Sequence, residues 1–234
     1  MQIRIEDRLL EKYPDAHIGF LVAHVIVKKL DPFVESLKQG LQSHLQEQGI
    51  LATNFAVHPA IARWRTIYEE DFHVKPKAYR SSIESLIKRV VTGKELWNIC
   101  TIVDVYNCCS LLSLLPMGGY DLKKVSGDIQ IRFGKTAETF QGLGEREAVD
   151  VQPDHVVYAD EAKVLCWLWN HKDSAKTCID ETTESVIFFI DGFDYAQVHD
   201  ALKQLRENLE KIGCSPLESG ILNRDCPEIA ITPR

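Results

Sequence analysis

No apolar run in this chain is long enough to span a bilayer; the longest, over residues 18–27, is interrupted by His24. The first residues lack the basic segment, apolar core and small-residue cleavage site of a signal peptide, so none is expected. Excess positive charge is missing too. With 27 Lys and Arg against 34 Asp and Glu, the formal net charge is −7. That argues against a strong non-specific polyanion binder and leaves any nucleic-acid contact to a local basic patch. The seven cysteines (Cys100, Cys108, Cys109, Cys166, Cys178, Cys214, Cys226) are odd in number and form no CxxC pair. Reduced core thiols in a cytoplasmic protein are therefore expected, rather than a disulfide framework or a zinc site. No GxSxG elbow, P-loop, HExxH or EF-hand loop occurs, so covalent nucleophilic catalysis has no support. Gly142 and Gly144 flank Leu143 without a strand and helix around them, so they are no dinucleotide fingerprint.

What is present is a core-forming composition, 45% apolar and 26% charged, suited to one large or two small globular domains. The chain is organised around residues 98–132. The first half of that stretch is apolar nearly all round (Ile99, Ile102, Val103, Val105, Leu111, Leu112, Leu114, Leu115), which predicts a helix buried on most sides. Asp104 and Asn107 share one face of it, so each needs a partner, in a structural bond or in a site. Pro116 ends the helix, Gly118 and Gly119 permit a positive φ or a close backbone approach, and GDIQIR alternates as a strand does.

Elsewhere, residues 17–28 predict a buried strand with His24 as a hydrogen-bonded core histidine. Asp31 and Pro32 open an amphipathic helix closed by Gly49. Residues 59–70 predict a helix with Ile61, Trp64 and Tyr68 on one side. In VKPKAYRSSIESLIKR, Ser81 and Glu84 have capping-box spacing, which puts Lys75, Lys77 and Arg80 just before a helix N-terminus. That arrangement is either a phosphate dock or a solvated loop. Short strands follow over 128–133, 155–159 and 163–169. The nine residues WNHKDSAKT, 169–177, offer an indole, an amide, an imidazole, a carboxylate and hydroxyls, the mixture a polar pocket needs, although a surface turn can hold the same residues. SVIFFID predicts a last core strand, and residues 194–213 an amphipathic helix ended by glycine. Residues 1–213 are expected to form a single domain. Residues 214–234 are expected to be an extended or loosely packed tail.

Taken together, VDVYNCCSLLSLLPMGGYDLKKVSGDIQIR and HVVYADEAKVLCWLWNHKDSAKTCIDETTESVIFFID resemble the B3/B4 domain, the module that forms the editing region of the phenylalanyl-tRNA synthetase β subunit. The likeness is closest to the stand-alone B3/B4 proteins and covers most of residues 10–191. It implies an α+β fold of layered sheets with flanking helices, a three-layer sandwich. In the synthetase it implies a pocket that hydrolyses mischarged tyrosyl-tRNA. Asp104, Asn107, Pro116, Gly118, Gly119, Asp121, Gly127 and Asp128 match the LPxGGxDxxxxxGD region and the helix before it. Tyr158, Ala159 and Asp160 match a strand-end YAD. Trp169, Asn170, Asp173, Ser174 and Thr177 match the stand-alone group's WNxRDSxxT signature, with Lys172 in place of its arginine, which removes a planar bidentate donor. The synthetase carries a glycine-rich segment where this chain has residues 167–172.

Ester hydrolysis in such a pocket needs a held substrate, a positioned water and oxyanion donors, with no metal or cofactor. The resemblance points to Asn107, Asn170 and Asp173 as the catalytic group, with Asp173 orienting water or binding the substrate's amino group. It points to Trp64, Asp104, Gly118, Gly119, Asp121, Trp169, Ser174 and Thr177 as substrate-binding, with Trp64 or Trp169 stacking on the terminal adenosine. Lys75, Lys77, Arg80 and Lys172 would meet tRNA phosphates. The expected partner is the aminoacylated 3′ end of tRNA, with a synthetase or other protein as a second partner and no membrane. Three functions fit: a trans-acting aminoacyl-tRNA deacylase, a non-catalytic tRNA-binding module, and a pocket for a free amino acid or related metabolite.

Overall fold

The computed structural model describes residues 1–232, which leaves the Pro233 of the expected tail outside the described residues. In chain order the elements are β1 (Gln2–Ile5), α1 (Asp7–Lys12), β2 (His17–His24), α2 (Pro32–Glu47), α3 (Pro59–Thr66), α4 (Ser82–Val91), α5 (Thr101–Ser113), β3 (Met117–Asp121), β4 (Ile129–Phe133), β5 (Thr139–Phe140), β6 (Val149–Asp150), β7 (Val156–Ala159), β8 (Val164–Trp167), β9 (Lys172–Asp173), β10 (Ser185–Gly192), α6 (Tyr195–Lys211), β11 (Ser215–Leu222) and β12 (Glu228–Ala230). A π-helical turn, Ile67–Asp71, continues α3. One sheet has the order β12-β1-β4-β7-β8-β9, a second the order β11-β2-β10-β3, and β5 pairs β6 apart from both. Only the β1–β4 pairing of the larger sheet is parallel.

The layering follows from side-chain alternation on β2 and β10. Their backbones pair antiparallel along their whole length, and successive residues point to opposite faces. Leu21, Ala23, Val186, Phe188 and Ile190 pack with Val105, Cys109, Val198 and Leu205 of α5 and α6. Ile18, Phe20, Val22, Ile187 and Phe189 pack with Ile129, Ile131, Val157 and Tyr158 of the six-stranded sheet. The result is a helix layer, a four-stranded sheet and a six-stranded sheet, the layered α+β fold that the resemblance implies. Both strands read as continuous apolar runs because both of their faces are covered.

Helix α5 contributes to both cores, Ile102, Val105 and Tyr106 to one and Cys108 and Leu111 to the other, which accounts for its all-round apolar character. Ile99 lies before the helix and is exposed. The helix ends at Leu114, in the left-handed conformation with φ 58°, two residues before Pro116. Gly118 and Gly119 adopt no positive φ; they lie within β3, and at Gly119 it is the close approach of neighbours that favours glycine. A Cβ on Gly119 would stand 3.2 Å from Phe188, 3.3 Å from Ile179 and 3.3 Å from Tyr106. His24 is exposed at the end of β2, bonded to Ser185 Oγ at 2.8 Å, and is not a core residue. Five of the seven thiols (Cys100, Cys108, Cys109, Cys166, Cys214) are buried and all seven are unpaired.

The C-terminal segment departs most from expectation. It is extended but not loosely packed: β11 pairs along β2 from Ser215 to Leu222, and β12 pairs β1. Strand β10 is therefore not the last. Alternation is weak on β11, an edge strand with Pro216 and a register shift between Pro216 and Glu218, so no periodic signal marks it. A chain ending at Gly213 would uncover the edges of β2 and β1. It is expected to melt about 10 °C lower or to aggregate, as followed by circular dichroism and sedimentation; a melt within about 2 °C of the intact chain would refute this role for the tail.

Candidate functional site

A cavity of about 220 Å³ lies between the sheets, where β3, an edge of the four-stranded sheet, faces the β8–β9 edge of the other. Its walls are Met117, Tyr120, Leu143, Tyr158, Cys166, Trp169 and Phe189, and its polar groups come from Ser82, Asn170, His171, Lys172, Asp173 and Asp191. Gly118 opens it, because a Cβ there would stand 3.6 Å from Asp173 Oδ1 and from the Tyr120 hydroxyl.

The hairpin between β8 and β9 builds one side. Leu168 and Trp169 are both left-handed, with φ 53° and 62°, a conformation that costs non-glycine residues of order 1 kcal/mol or more each. Glycine would adopt it freely. Packing holds it in place here. The Trp169 ring is fully buried in edge contact with Tyr13 at 5.0 Å and Trp64 at 5.3 Å, and Tyr68 donates to the Leu168 carbonyl at 2.7 Å. This turn aims the Trp169 indole N–H and the Asn170 amide at one carboxylate.

That carboxylate is Asp191, at the end of β10. It accepts from the Tyr158 hydroxyl, from Trp169 Nε1 at 3.3 Å and from Asn170 Nδ2 at 3.1 Å. Burial pushes its pKa up to about 7; the three donors pull it down, and the charge of Asp173 adds to the rise. Asp173 itself, on β9, accepts from the Tyr120 hydroxyl at 3.1 Å, and burial raises it to about 6 against the lowering effect of Cys166 and Tyr120. Neither carboxylate has an ion-pair partner within 4.0 Å among the described residues. Lys172, the one lysine on the wall, is committed to Glu145. The cavity is thus lined by two acidic groups with hydroxyl, indole and amide donors, and its one lysine is already paired with Glu145.

Five of the residues expected at a site meet at this cavity: Gly118, Trp169, Asn170, Lys172 and Asp173. The others lie elsewhere. Asp104 is buried against Lys38 at 2.7 Å and accepts from the Ile99 N–H, which is the structural alternative for that residue. Asn107 is half-buried on α5, away from the wall, and Gly119 faces the helix layer. Asp121 caps Lys123 N–H and accepts from Thr183 Oγ1. Ser174 closes a turn by accepting from Lys176 N–H, and Thr177 is buried beyond the cavity. Trp64 and Trp169 are buried against each other, so neither offers a face on which an adenine can stack. Among the other matched motif residues, Gly127 has φ 72° and Asp160 ties the β7–β8 turn through Ser126, Ala162 and Lys163. These residues hold backbone rather than line the cavity.

The basic segment borders this site. Ser82 N–H at the start of α4 donates to the Asn170 carbonyl at 2.8 Å, and the Arg80 carbonyl meets His171 Nδ1 at 2.7 Å. Ser81 caps Glu84 N–H, but the Glu84 carboxylate pairs with Arg65 and Arg80 instead of completing the box. The α4 N-terminus is therefore satisfied internally, and Lys75 and Lys77 are the exposed cations that remain from the expected phosphate dock.

The B3/4 domain model matches residues 68–211. The chain belongs to the B3/4 domain family. This B3/4 protein is 37% identical over 79 residues to the phenylalanine–tRNA ligase β subunit of Chromobacterium violaceum, a match over 34% of the chain and 10% of that subunit. It is 24% identical over 122 residues to the β subunit of Mycoplasma pneumoniae, covering 52% of the chain and 14% of the subunit. The chain thus matches only a small part of the length of these relatives. An N-terminal fragment of the Pyrococcus horikoshii phenylalanyl-tRNA synthetase β subunit aligns with a TM-score of 0.49 and 14% identity, over 92% of this chain and 49% of that one. No helix among the described residues is long and apolar enough to cross a membrane.

Two residues of the site escaped the sequence reading. Asp191 sits at the end of an apolar strand, where a lone acid looks like the strand's solvent-facing stop; its position two residues from Phe189 on the same face was the available signal. Ser82 was read only as part of a helix start. The raised carboxylates also bear on stability. A carboxyl whose pKa is higher in the folded than in the unfolded chain binds more protons when folded, so stability falls as pH rises through about 4 to 7. Asp173→Asn keeps an oxygen for the Tyr120 hydroxyl and removes the buried charge. It is expected to raise the melting temperature by about 3–6 °C at pH 8 and by about half as much at pH 5, as measured by calorimetry. An equal change at both pH values would show that Asp173 is not strained by burial.

Proposed function

We propose that the cavity receives the aminoacyl end of a mischarged tRNA and that this B3/4 protein hydrolyses the ester in trans. The observation that carries this reading is the pocket's charge, with Asp173 and Asp191 facing in and no cation free to meet an anion. A free amino acid brings an ammonium and a carboxylate, whereas an aminoacyl ester brings the ammonium alone. At about 4 Å and an effective dielectric of 20, each such charge pair is worth about 4 kcal/mol, favourable for the ammonium and unfavourable for the carboxylate. The ester is the ligand whose charge fits.

Size supports the same reading. The cavity is smaller than the roughly 300–1,000 Å³ of typical ligand sites, so it suits one amino-acid side chain and leaves the terminal nucleotide at the mouth. The apolar wall of Met117, Tyr120, Tyr158 and Phe189 suits an aromatic or aliphatic side chain. Lys75 and Lys77, beside the mouth through the contacts of Arg80 and Ser82, suit the phosphates that follow. The curated relatives named as phenylalanine–tRNA ligase β subunits are in keeping with a tRNA substrate. Asp173 and Asp191 hold the ammonium, and Asn170 orients Asp191.

The test is hydrolysis of a panel of mischarged tRNAs by the purified protein, tyrosyl-tRNA(Phe) included. At least one ester of an aromatic or aliphatic amino acid is expected to turn over. Asp173→Asn is expected to raise KM about 10-fold or more, and wild-type KM should rise as pH falls below about 6, where Asp173 takes up its proton. A folded protein that neither turns over any ester nor binds tRNA in a salt-sensitive way would refute the proposal.

A further inference from the structure

Two groups on the cavity wall have no role in binding the ammonium. Ser82 Oγ is buried without a hydrogen-bond partner, at a position that lines the cavity. A buried hydroxyl left unpaired costs about 1–3 kcal/mol, and of the unpaired buried atoms among the described residues, which include Thr177 Oγ1 and Gln204 Oε1, only Ser82 Oγ belongs to a residue that lines the cavity. The second group is His171. Its Nδ1 lies 2.7 Å from the Arg80 carbonyl, which can only accept, so Nδ1 carries the proton and Nε2 presents a lone pair. Nε2 makes no hydrogen bond and is not sealed from solvent. The ring packs edge-on against Tyr79 at 5.5 Å and Trp167 at 5.8 Å, which also meet each other at 5.6 Å, so it is held in an aromatic cluster.

We propose that His171 and Ser82 carry the hydrolytic step: His171 Nε2 takes a proton from the attacking water, and Ser82 Oγ–H donates to the oxyanion that forms. This rests on the deacylase reading above and assigns the chemistry that Asp173 and Asp191 do not supply. As the water oxygen bonds to the ester carbonyl carbon, its proton passes to Nε2 and the carbonyl oxygen becomes the anion held by Ser82. The tetrahedral adduct then breaks its bond to the ribose oxygen, which leaves with the proton returned from His171. The products are the free amino acid and a tRNA with its terminal hydroxyl restored. A serine-nucleophile route needs Ser82 Oγ bonded to a base, and it has no partner among the described residues.

The surroundings keep the imidazole neutral. Burial lowers its pKa, Lys172 and Arg80 lower it further, and Glu145 and the bond to the Arg80 carbonyl oppose them. Those are the charged groups that act on the ring from the β9 strand, the segment before α4 and the loop after β5. A base neutral at physiological pH is ready to accept a proton.

The experiment compares the wild type with His171→Asn, which keeps a donor for the Arg80 carbonyl and deletes Nε2, and with His171→Gly and Ser82→Ala, on the ester that the panel identifies. Expected are a kcat lowered about 100-fold or more for His171→Asn with KM little changed, loss of the acidic limb of the kcat–pH profile, partial rescue of His171→Gly by added imidazole, and a kcat lowered about 100-fold for Ser82→Ala. Turnover by the wild type with kcat and pH profile unchanged in His171→Asn would overturn this assignment while the deacylase reading stands. An acyl group trapped on Ser82 would overturn its role as oxyanion donor. A wild type that turns over nothing overturns the deacylase reading, and this assignment with it.

Discussion

Strand β10 is the constraint on which the molecule depends. Every residue from Ser185 to Gly192 is buried, with β2 and β3 on its two edges and a separate core on each face. One face requires α5 and α6, and the other requires the six-stranded sheet. Sealing a strand on four sides leaves it one place to meet a ligand, its end. There Asp191 continues the face of Ile187 and Phe189 and enters the gap between the sheets. The same alternation that builds the layers delivers a carboxylate to the cavity.

The cavity runs against the stability of the fold that makes it. Two carboxylates share a poorly hydrated space without a counter-ion, and the neighbouring turn holds two bulky residues in the left-handed region. Neither feature helps folding. Both are tolerated because Trp169 is locked among Tyr13, Trp64 and Phe193, and because hydroxyl, indole and amide donors satisfy part of each carboxylate. Destabilised groups concentrated beside a cavity are the usual price of a binding site. Under the proposed function the net acidic charge does not conflict with an anionic nucleic-acid partner, since the end that would enter the pocket carries an ammonium.

The two halves of the matched motif have different physical tasks. Of the matched residues over 116–128, Gly118 alone opens onto the cavity, between the wall residues Met117 and Tyr120; Asp121 and Gly127 shape turns, and Asp128 accepts from the Gln2 N–H to fasten β1. In the region 169–177, Trp169, Asn170, His171, Lys172 and Asp173 all reach the wall, whereas Ser174 and Thr177 close the turn behind them. A signature in sequence mixes both kinds of residue, because a chain must hold its backbone before it can aim a side chain.

Local chemistry made much of the fold readable. Asp31 with Pro32, Ser81 before α4 and Asp194 before α6 are caps whose partners lie within three residues, and Gly49 and Gly213 end helices by a positive φ; each is decided within one turn of chain. The apolar runs of β2, α5 and β10 likewise announced burial on all sides. Tertiary structure alone decided which polar residues converge. Asp104 is buried and Asp173 half-buried, both acids in matched motifs, yet Lys38 neutralises the first from 66 residues away while no cation among the described residues pairs the second. Strands β11 and β12 carry no periodicity and are held by the edges they pair. Burial and charge compensation depend on neighbours distant in sequence, so the site became visible only when the two sheets closed over it.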